Sequence, residues 1–335
     1  MPKISVLMSV YNEPVDWMRQ AIESILNQTY KDFEFIIVND NPEREENQLV
    51  LNEYRDKDSR IIILCNEHNI GLTKSLNRGL AVANGEYVAR MDADDIAFSD
   101  RFEVQIRYLL DNPDIAVLGT NAITFNGALF NFKRELLMPQ SYNAICICAL
   151  FRNPLVHPTV MFNMRLLKKR LYNEQCKRAQ DFDLWVGLIN SNIKICNIPV
   201  SSLKYRLVNK GSEYFIEQNS VAENARLKML DIIMGDNFRK INEDLHLYVC
   251  AGTSRHSHNI VEIESYLMDV RDSLYAKYPE EKSYIKLLIG DVWQLNCKRE
   301  KVCRMYFKSE LFVFTGMVDL ALFVCKTIFV MNKSL

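Results

Sequence analysis

Three carboxylates stand within four residues at Asp92-Ala93-Asp94-Asp95, and acids this crowded invite a cation. Left unpaired they repel one another; at a few ångströms and an effective dielectric near 20, each pair costs on the order of 3–4 kcal/mol. A hard divalent ion removes that cost, and Mg²⁺ or Mn²⁺ favours one or two carboxylates plus substrate phosphates over a closed protein cage. A solvated acidic turn is the plainer reading of such a tetrapeptide taken alone. Its delivery by the apolar run Tyr87–Met91 argues for the cation, because a buried strand fixes the position of whatever ends it. Alternation puts Val88, Arg90 and Asp92 on one strand face, so Arg90 either braces Asp92 or reaches a phosphate.

The elements around this cluster alternate in type. Ile4–Val10 is an apolar run with a polar exit at Tyr11-Asn12-Glu13, followed by a helix with Val15, Met18, Ile22, Ile25 and Leu26 on one face. Phe33–Asp40 and Ile61–Asn66 read as further strands. A helix over Thr73–Asn84 stops at Gly85, and Glu86–Asp92 is a fourth strand. Asp100 and Glu103 form a capping pattern for the helix Asp100–Asp111, which buries Phe102, Ile106, Leu109 and Leu110; Ile115–Thr120 is another strand. Such alternation predicts a mostly parallel sheet covered by helices on both faces. Ligands of these sheets bind at the carboxyl ends of the strands, near the switch in strand order. Asn12, Glu13, Asn39, Asp40, Asn66 and Asp92 to Asp95 all stand at such ends.

Here the chain resembles a known family. The run Asn69-Ile70-Gly71-Leu72, Ser75-Leu76-Asn77-Arg78-Gly79-Leu80 and Ala83-Asn84-Gly85 through Asp95 is similar to the family 2 glycosyltransferases. So are Val10-Tyr11-Asn12-Glu13 and Ser24-Ile25-Leu26-Asn27-Gln28-Thr29-Tyr30. The likeness covers roughly residues 3–205, has the style of bacterial surface-polysaccharide members, and does not name the sugar. It implies a GT-A fold, a Rossmann-like nucleotide-binding domain with a mixed, mostly parallel sheet. It also implies a nucleoside diphosphate sugar as donor, usually uridine-linked, and inversion at the anomeric carbon. By resemblance Val10, Tyr11, Asn12, Glu13 and Asp40 would hold the nucleoside, Asp92 the ribose or metal region with Ala93 beside it, and Asp94 the Mn²⁺ or Mg²⁺ that bridges the diphosphate. Such a metal suits the chemistry, because the departing nucleoside diphosphate gains negative charge. Two departures stand out. Asn39-Asp40-Asn41-Pro42 keeps only the second acid of the family's usual pair, and Ser75-Leu76-Asn77 lacks its usual arginine. Lys74 or Arg78 either takes that role or is a solvated helix residue.

An inverting transfer is a single displacement that needs a base opposite the leaving group. Asp181, in Arg178-Ala179-Gln180-Asp181-Phe182-Asp183-Leu184-Trp185, resembles the family's acid at the start of a helix. The alternative is a simple helix cap, and Asp183 is the fallback base. His157 is either structural or in touch with metal, diphosphate or acceptor. Trp185 is either core or a sugar platform, and His256-x-His258 reads as a polar surface segment.

Bulk properties agree with an enzyme of two regions. The 335 residues are 48% hydrophobic and 25% charged, which excludes wholesale disorder, and a net charge of −1 gives no reason to expect nucleic acid as partner. The nine cysteines form no CxxC pair, fitting reduced, buried thiols in the cytosol; Cys146 and Cys148 would share a face if they lay in a strand. The opening apolar run is too short for a signal peptide and places the catalytic part in the cytoplasm. A boundary near Asn209-Lys210-Gly211 separates a catalytic region, 1–210, from a helical region, 211–335.

Within the second region, 298–335 is expected to associate with a membrane. Leu311–Met331 is apolar and follows Lys298, Arg299, Lys301, Arg304 and Lys308. Its twelve Leu, Ile, Val and Phe residues favour spanning by about 4–7 kcal/mol, which Asp319 and Lys326 offset by about 5–7. Thr315, Asp319 and Lys326 fall on one stripe, which suits a helix lying in the interface of an anionic inner leaflet; a buried helix is the alternative. A lipid-linked saccharide is then the natural acceptor, as in O-antigen or capsule synthesis. Competing readings are a nucleotidyltransferase, whose Gly-rich phosphate loop Tyr11-Asn12-Glu13-Pro14 does not supply, and a non-catalytic sugar-nucleotide-binding protein of the same fold.

Overall fold

A computed structural model describes residues 2–126, 134–167, 172–208, 212–252, 256 and 258–313. The chain opens with β1 (Ile4–Val10), α1 (Val15–Leu26), β2 (Phe33–Asn39), α2 (Glu45–Lys57), β3 (Ile61–Cys65), α3 (Leu72–Val82) and β4 (Tyr87–Asp92). There follow β5 (Ile96–Ala97), α4 (Arg101–Asp111), β6 (Val117–Phe125), β7 (Arg134–Leu136), α5 (Tyr142–Ala149), β8 (Met161–Asn163), α6 (Met164–Leu167), α7 (Gln180–Asn190) and β9 (Ile195–Arg206). The described residues that follow are mostly helical: α8 (Ser212–Met234), α9 (Asp236–Ala251), α10 (Ile260–Lys277), α11 (Lys282–Arg299) and α12 (Cys303–Lys308).

The nine strands form one mixed sheet in the order β3-β2-β1-β4-β8-β6-β9-β5, with β7 beside β6. The first four are parallel; β8 is antiparallel to both β4 and β6, and β6 runs parallel to β9. Strand order reverses at β1, and its register with β4 sets Ser9 against Asp92 at the carboxyl ends. That is the switch point at which open α/β sheets bind ligands.

Alternation assigns the two faces. Ile4, Val6, Met8 and Val10 share one core with Met18 and Ile22 of α1, Val50 and Leu51 of α2, and Phe102 and Ile106 of α4. On the opposite face α3 lies so close that a Cβ on Gly79 would sit 2.2 Å from Leu7 Cδ1. The architecture is thus the GT-A-like α/β fold expected, with helices on both faces and further helices toward the C-terminus.

Several local expectations need correction. Asp100 takes the N-cap position of α4 without a side-chain capping bond. Gln28, fully buried, does that work: its Oε1 accepts from Phe102 N at 3.1 Å while its Nε2 donates to Phe98 O at 2.7 Å. Glu103 instead accepts from Thr29 at 2.9 Å. Cys146 and Cys148 lie in the helix α5, not a strand, and are buried, reduced thiols like Cys176, Cys196 and Cys297. The β6 strand begins and ends later than the apolar run suggests, because its partner β9 extends to Arg206.

The described chain divides into two compact units, Met1–Ile145 with Asn153–Ala225 and Cys146–Arg152 with Arg226–Leu335. The second unit draws in its outlying segment through fully buried His246, whose Nε2 lies 3.0 Å from Leu150 O and whose Nδ1 lies 2.7 Å from Tyr266 Oη. Its α10 begins with a capping box between Asn259 and Glu262. Residues 209–211, where the sequence suggests a boundary, and 314–335 lie outside the described residues. Among the described residues no helix is long and apolar enough to cross a membrane.

Two glycines test this packing in opposite directions. A Cβ on Gly85 would lie 2.4 Å from the Ser5 backbone nitrogen, so Gly85→Ala must push β1 from β4 and is expected to lower stability by about 1–3 kcal/mol. Gly187, exposed within α7, has open space around it, so Gly187→Ala should raise stability by about 0.5–1 kcal/mol. Urea unfolding of both variants reads the two signs; a neutral Gly85→Ala would contradict the packing described.

Candidate active site

The carboxyl ends of β1, β2 and β4 open into a cleft of about 920 Å³. Asp92 ends β4, and Asp94 and Asp95 follow on the turn into β5. One carboxylate oxygen from each of the three lies within 4.8 Å of the others. Two arginines hold this arrangement. Arg90, 2% exposed, makes an ion pair with Asp92 through Nη2, and its Nε and Nη1 have no hydrogen-bond partner. The sequence left bracing and phosphate contact open for Arg90; here it braces.

Arg206, at the end of β9, works through the turn itself. Its backbone N–H donates to Asp95 Oδ1 and its Nε to the Asp94 carbonyl, both at 2.7 Å. The guanidinium lies 4.5 Å from the Trp17 ring and 4.4 Å from the Phe125 ring, so it cannot swing away cheaply. Asp95 is 1% exposed, and its Oδ2 has no partner. Burial, reinforced by Asp92 and Asp94, pushes its carboxyl well above the usual range. A buried, unpartnered oxygen beside two further carboxylates is the hard-oxygen donor set that a divalent cation fits.

The wall around Asp40 is built from polar ties. Asp40 is 2% exposed and accepts from Asn66 Nδ2 at 2.6 Å and from the backbone N–H groups of Ile70 and Gly71, each at 2.9 Å. Gly71, at φ +87°, leads directly into α3, so this carboxylate anchors the start of that helix. Glu13 accepts from Tyr11 N at 2.7 Å, and burial raises its pKa. Tyr11, Glu13, Asp40, Lys74, Asp92 and Asp94 all line the cleft. Val10 is buried in the sheet core, Ala93 is buried on the turn, and Asn12 points to Asn41, whose Nδ2 it receives at 2.7 Å; none of them is among the lining residues.

At the positions that depart from the family pattern, Asn77 staples the far wall. It donates to Tyr172 O at 2.9 Å and accepts from Tyr172 N at 3.0 Å, while Thr73 donates to Cys176 O at 2.7 Å. The stapled segment brings Glu174, Lys177 and Arg178 to the cleft opposite the acids. Arg78 does not line the cleft; it donates to Cys65 O at 2.7 Å and to Asn66. Lys74 therefore has company in Lys177 and Arg178, which the sequence quoted or passed over without a role. Their signal was present, two cations immediately before the motif of Asp181. Arg206 had none, since its contacts with the turn span 111 and 112 residues.

Asp181 lies in the first turn of α7, half-buried, and accepts from Asn153 Nδ2 at 2.6 Å. Ala179 occupies the N-cap position, in the left-handed region at φ 49°. Burial raises the Asp181 pKa, and hydrogen bonds from Phe182 and Asn153 temper the rise. His157 is buried, with Nε2 2.7 Å from Tyr172 Oη, and burial holds its pKa well below the usual imidazole range. Trp185 is fully buried and stacked on Phe162 with centroids 5.9 Å apart, so it is core and not a sugar platform. His256 and His258 share Asp244, at 3.1 and 2.9 Å.

Comparison with known proteins agrees with this geometry. Residues 5–174 match the model of glycosyl transferase family 2. The chain belongs to the family 2 glycosyltransferases. Among its family 2 relatives is glycosyltransferase MJ1057 of Methanocaldococcus jannaschii, 40% identical over 211 residues covering 62% of this chain and 72% of the relative. Another is the O-antigen biosynthesis glycosyltransferase WbnJ of Escherichia coli, 37% identical over 220 residues that cover 63% of this chain and 82% of WbnJ. Among solved structures, S. aureus TarS 1-349 in complex with UDP-GlcNAc shares the fold with a TM-score of 0.53 at 19% identity, covering 91% of this chain and 89% of that one.

The role given to Arg206 has a direct check. Arg206→Ala removes the Nε bond to the turn and both ring contacts, and is expected to cost about 2–4 kcal/mol of stability in urea unfolding. An effect below about 0.5 kcal/mol would mean that the acidic turn holds its shape without it.

Proposed function

We propose that this glycosyltransferase moves a hexose or N-acetylhexosamine from a nucleoside diphosphate sugar, most simply a UDP-sugar, to a hydroxyl of a lipid-linked glycan. The product belongs to a surface polysaccharide such as O-antigen or capsule, and the enzyme works in the cytoplasm against the inner face of the membrane. One observation carries the donor assignment: a single cleft joins Asp92 and Asp94 to Lys74, Lys177 and Arg178 across the strand ends. A diphosphate needs both a cation site and basic side chains. The name of WbnJ supports the polysaccharide reading, and the UDP-GlcNAc bound by TarS supports the donor class.

Asp92 and Asp94 would hold Mn²⁺ or Mg²⁺, which supplies charge neutralisation for the departing diphosphate. Tyr11, Glu13 and Asp40 would position the nucleoside. Asp181 would take the acceptor hydroxyl proton as its oxygen bonds to the anomeric carbon, while the bond from that carbon to the diphosphate breaks. The nucleoside diphosphate leaves with the bonding electrons, and configuration inverts. An acid with a raised pKa is a better base than an ordinary surface carboxylate.

Two experiments test this. The protein is mixed with uridine and guanosine diphosphate-sugars in the presence of Mn²⁺, Mg²⁺ or EDTA, and thermal shift and nucleotide release are followed. One donor should stabilise the enzyme only with metal, and Asp94→Asn should abolish the response. No response from any donor with metal present would favour a non-catalytic protein of this fold. With the donor known, kcat/KM against pH should fall on the acid side, above the ordinary carboxylate range, as Asp181 protonates. Removing the tempering bond in Asn153→Ala raises the pKa further, so that limb should move to higher pH. A limb that stays in place or moves down would remove Asp181 as the base.

A further inference from the structure

The solvent side of α11 has an unusual composition. Lys282, Lys286, Leu287 and Lys298 are exposed along one side of it, and no acidic residue of the helix is. Its one acid, Asp291, is half-buried and lies 3.6 Å from Arg152. Leu287 remains 53% exposed among these cations.

Next in the chain, α12 exposes Arg304, Phe307 and Lys308, with Lys301 just before it. The segment after α12 crosses α11 at Gly290, where a Cβ would meet Val313 Cγ2 at 2.2 Å; it can pass there because that residue has no side chain. Phe312 thereby lines one groove with Lys286, Leu287 and Val313, and its ring lies 5.7 Å from that of Phe307. Acids border the patch: Glu280 is exposed just ahead of Lys282, Glu300 accepts from Tyr248, and exposed Glu310 lies 3.7 Å from Arg271. The sequence leaves this patch at Val313 for the rest of the apolar run to Met331.

We propose that the α11–α12 face is a docking surface for an anionic bilayer, a surface that deepens the membrane placement proposed above. Predominantly positive charge beside exposed Leu287 and Phe307 matches a headgroup layer over acyl chains. Lysine heads stay with lipid phosphates while their stems and the apolar side chains sit deeper.

The full-length chain is sedimented with vesicles of phosphatidylcholine alone or of phosphatidylcholine with phosphatidylglycerol, at low and high salt. Binding should require phosphatidylglycerol and weaken as salt rises. Lys282→Glu, Lys286→Glu and Lys298→Glu together should reduce partitioning by about a hundredfold or more with the apolar run intact. The matching Lys→Gln triple variant should show a smaller loss, which guards against a folding defect. Equal binding to neutral vesicles, undiminished binding of the charge-reversed protein, or no binding to any vesicle would each overturn the proposal. The donor-dependent thermal shift depends on the cleft of the other unit and should be unchanged in these variants. Its loss in the wild type would therefore fault the catalytic reading and leave this one standing.

Discussion

The repulsion among Asp92, Asp94 and Asp95 is the constraint around which the catalytic unit is built. Acids within 4.8 Å of one another would drift apart or protonate unless their backbone is fixed from outside. The fold fixes it from two directions. Arg90, on β4 itself, pairs with Asp92, while Arg206 arrives from the far end of β9, donates to the turn's backbone carbonyl and, through its own amide, to Asp95, and is held in turn by Gln20 Oε1 at 2.9 Å. Asp95 Oδ2 is left without a hydrogen-bond partner beside the other two carboxylates, an arrangement with oxygen to offer a cation. Arg101, fully buried beneath, adds no acid of its own to this balance: its side chain meets Gln105, the Arg90 and Val160 carbonyls and Met91 sulfur.

The opposite wall follows a different rule. There the network is short and built mostly of amides around one carboxylate: Asp40 to Asn66 and the Ile70–Gly71 backbone, Asn66 to Ser75, Asn77 to Tyr172. Buried polar groups of this kind are costly if any partner is missing, so the network specifies one conformation of the α3 start and of the segment it staples. That explains how a chain without the family's usual arginine can still present cations. Asn77 spends its amide on backbone, and the backbone it holds carries Lys177 and Arg178 to the cleft.

These two rules also explain what the sequence could and could not disclose. Strands β1 to β4 were legible because each is an apolar run, with β1, β2 and β4 buried on both faces, and polar residues at their ends mark the site. Asp92, Asp94, Asp40, Glu13, Tyr11 and Lys74 were found that way, or by family likeness, and do line the cleft. The antiparallel half was not legible. β8 is only three residues long, and β9 carries no period that distinguishes its role. The helix α2 went unread because its mean hydropathy is low and only one narrow stripe, Val50, Leu51 and Tyr54, is apolar and buried. Gln28 displaced the local capping pattern at Asp100 because a buried amide 74 residues away reaches the same donor. Contacts that long leave no trace in local spacing.

Asp181 shows where function and stability pull against each other. Its folded pKa is raised, so the native state favours the protonated form more than the unfolded chain does. The sign follows: that preference stabilises fully below the unfolded pKa and is lost as pH rises through the folded pKa. Once ionised, the carboxylate is a burden on the fold, and the Asn153 and Phe182 hydrogen bonds limit its size. Without those bonds the acid would stay protonated over a wider range, and in a solvated site it would ionise more readily. His157 lacks any such compromise: burial keeps it neutral, and its Nε2 is spent on Tyr172. Of the two titratable groups that the sequence offered on this side, the acid has a raised pKa moderated by hydrogen bonds, as the proposed base would need, and the imidazole is held in the packing.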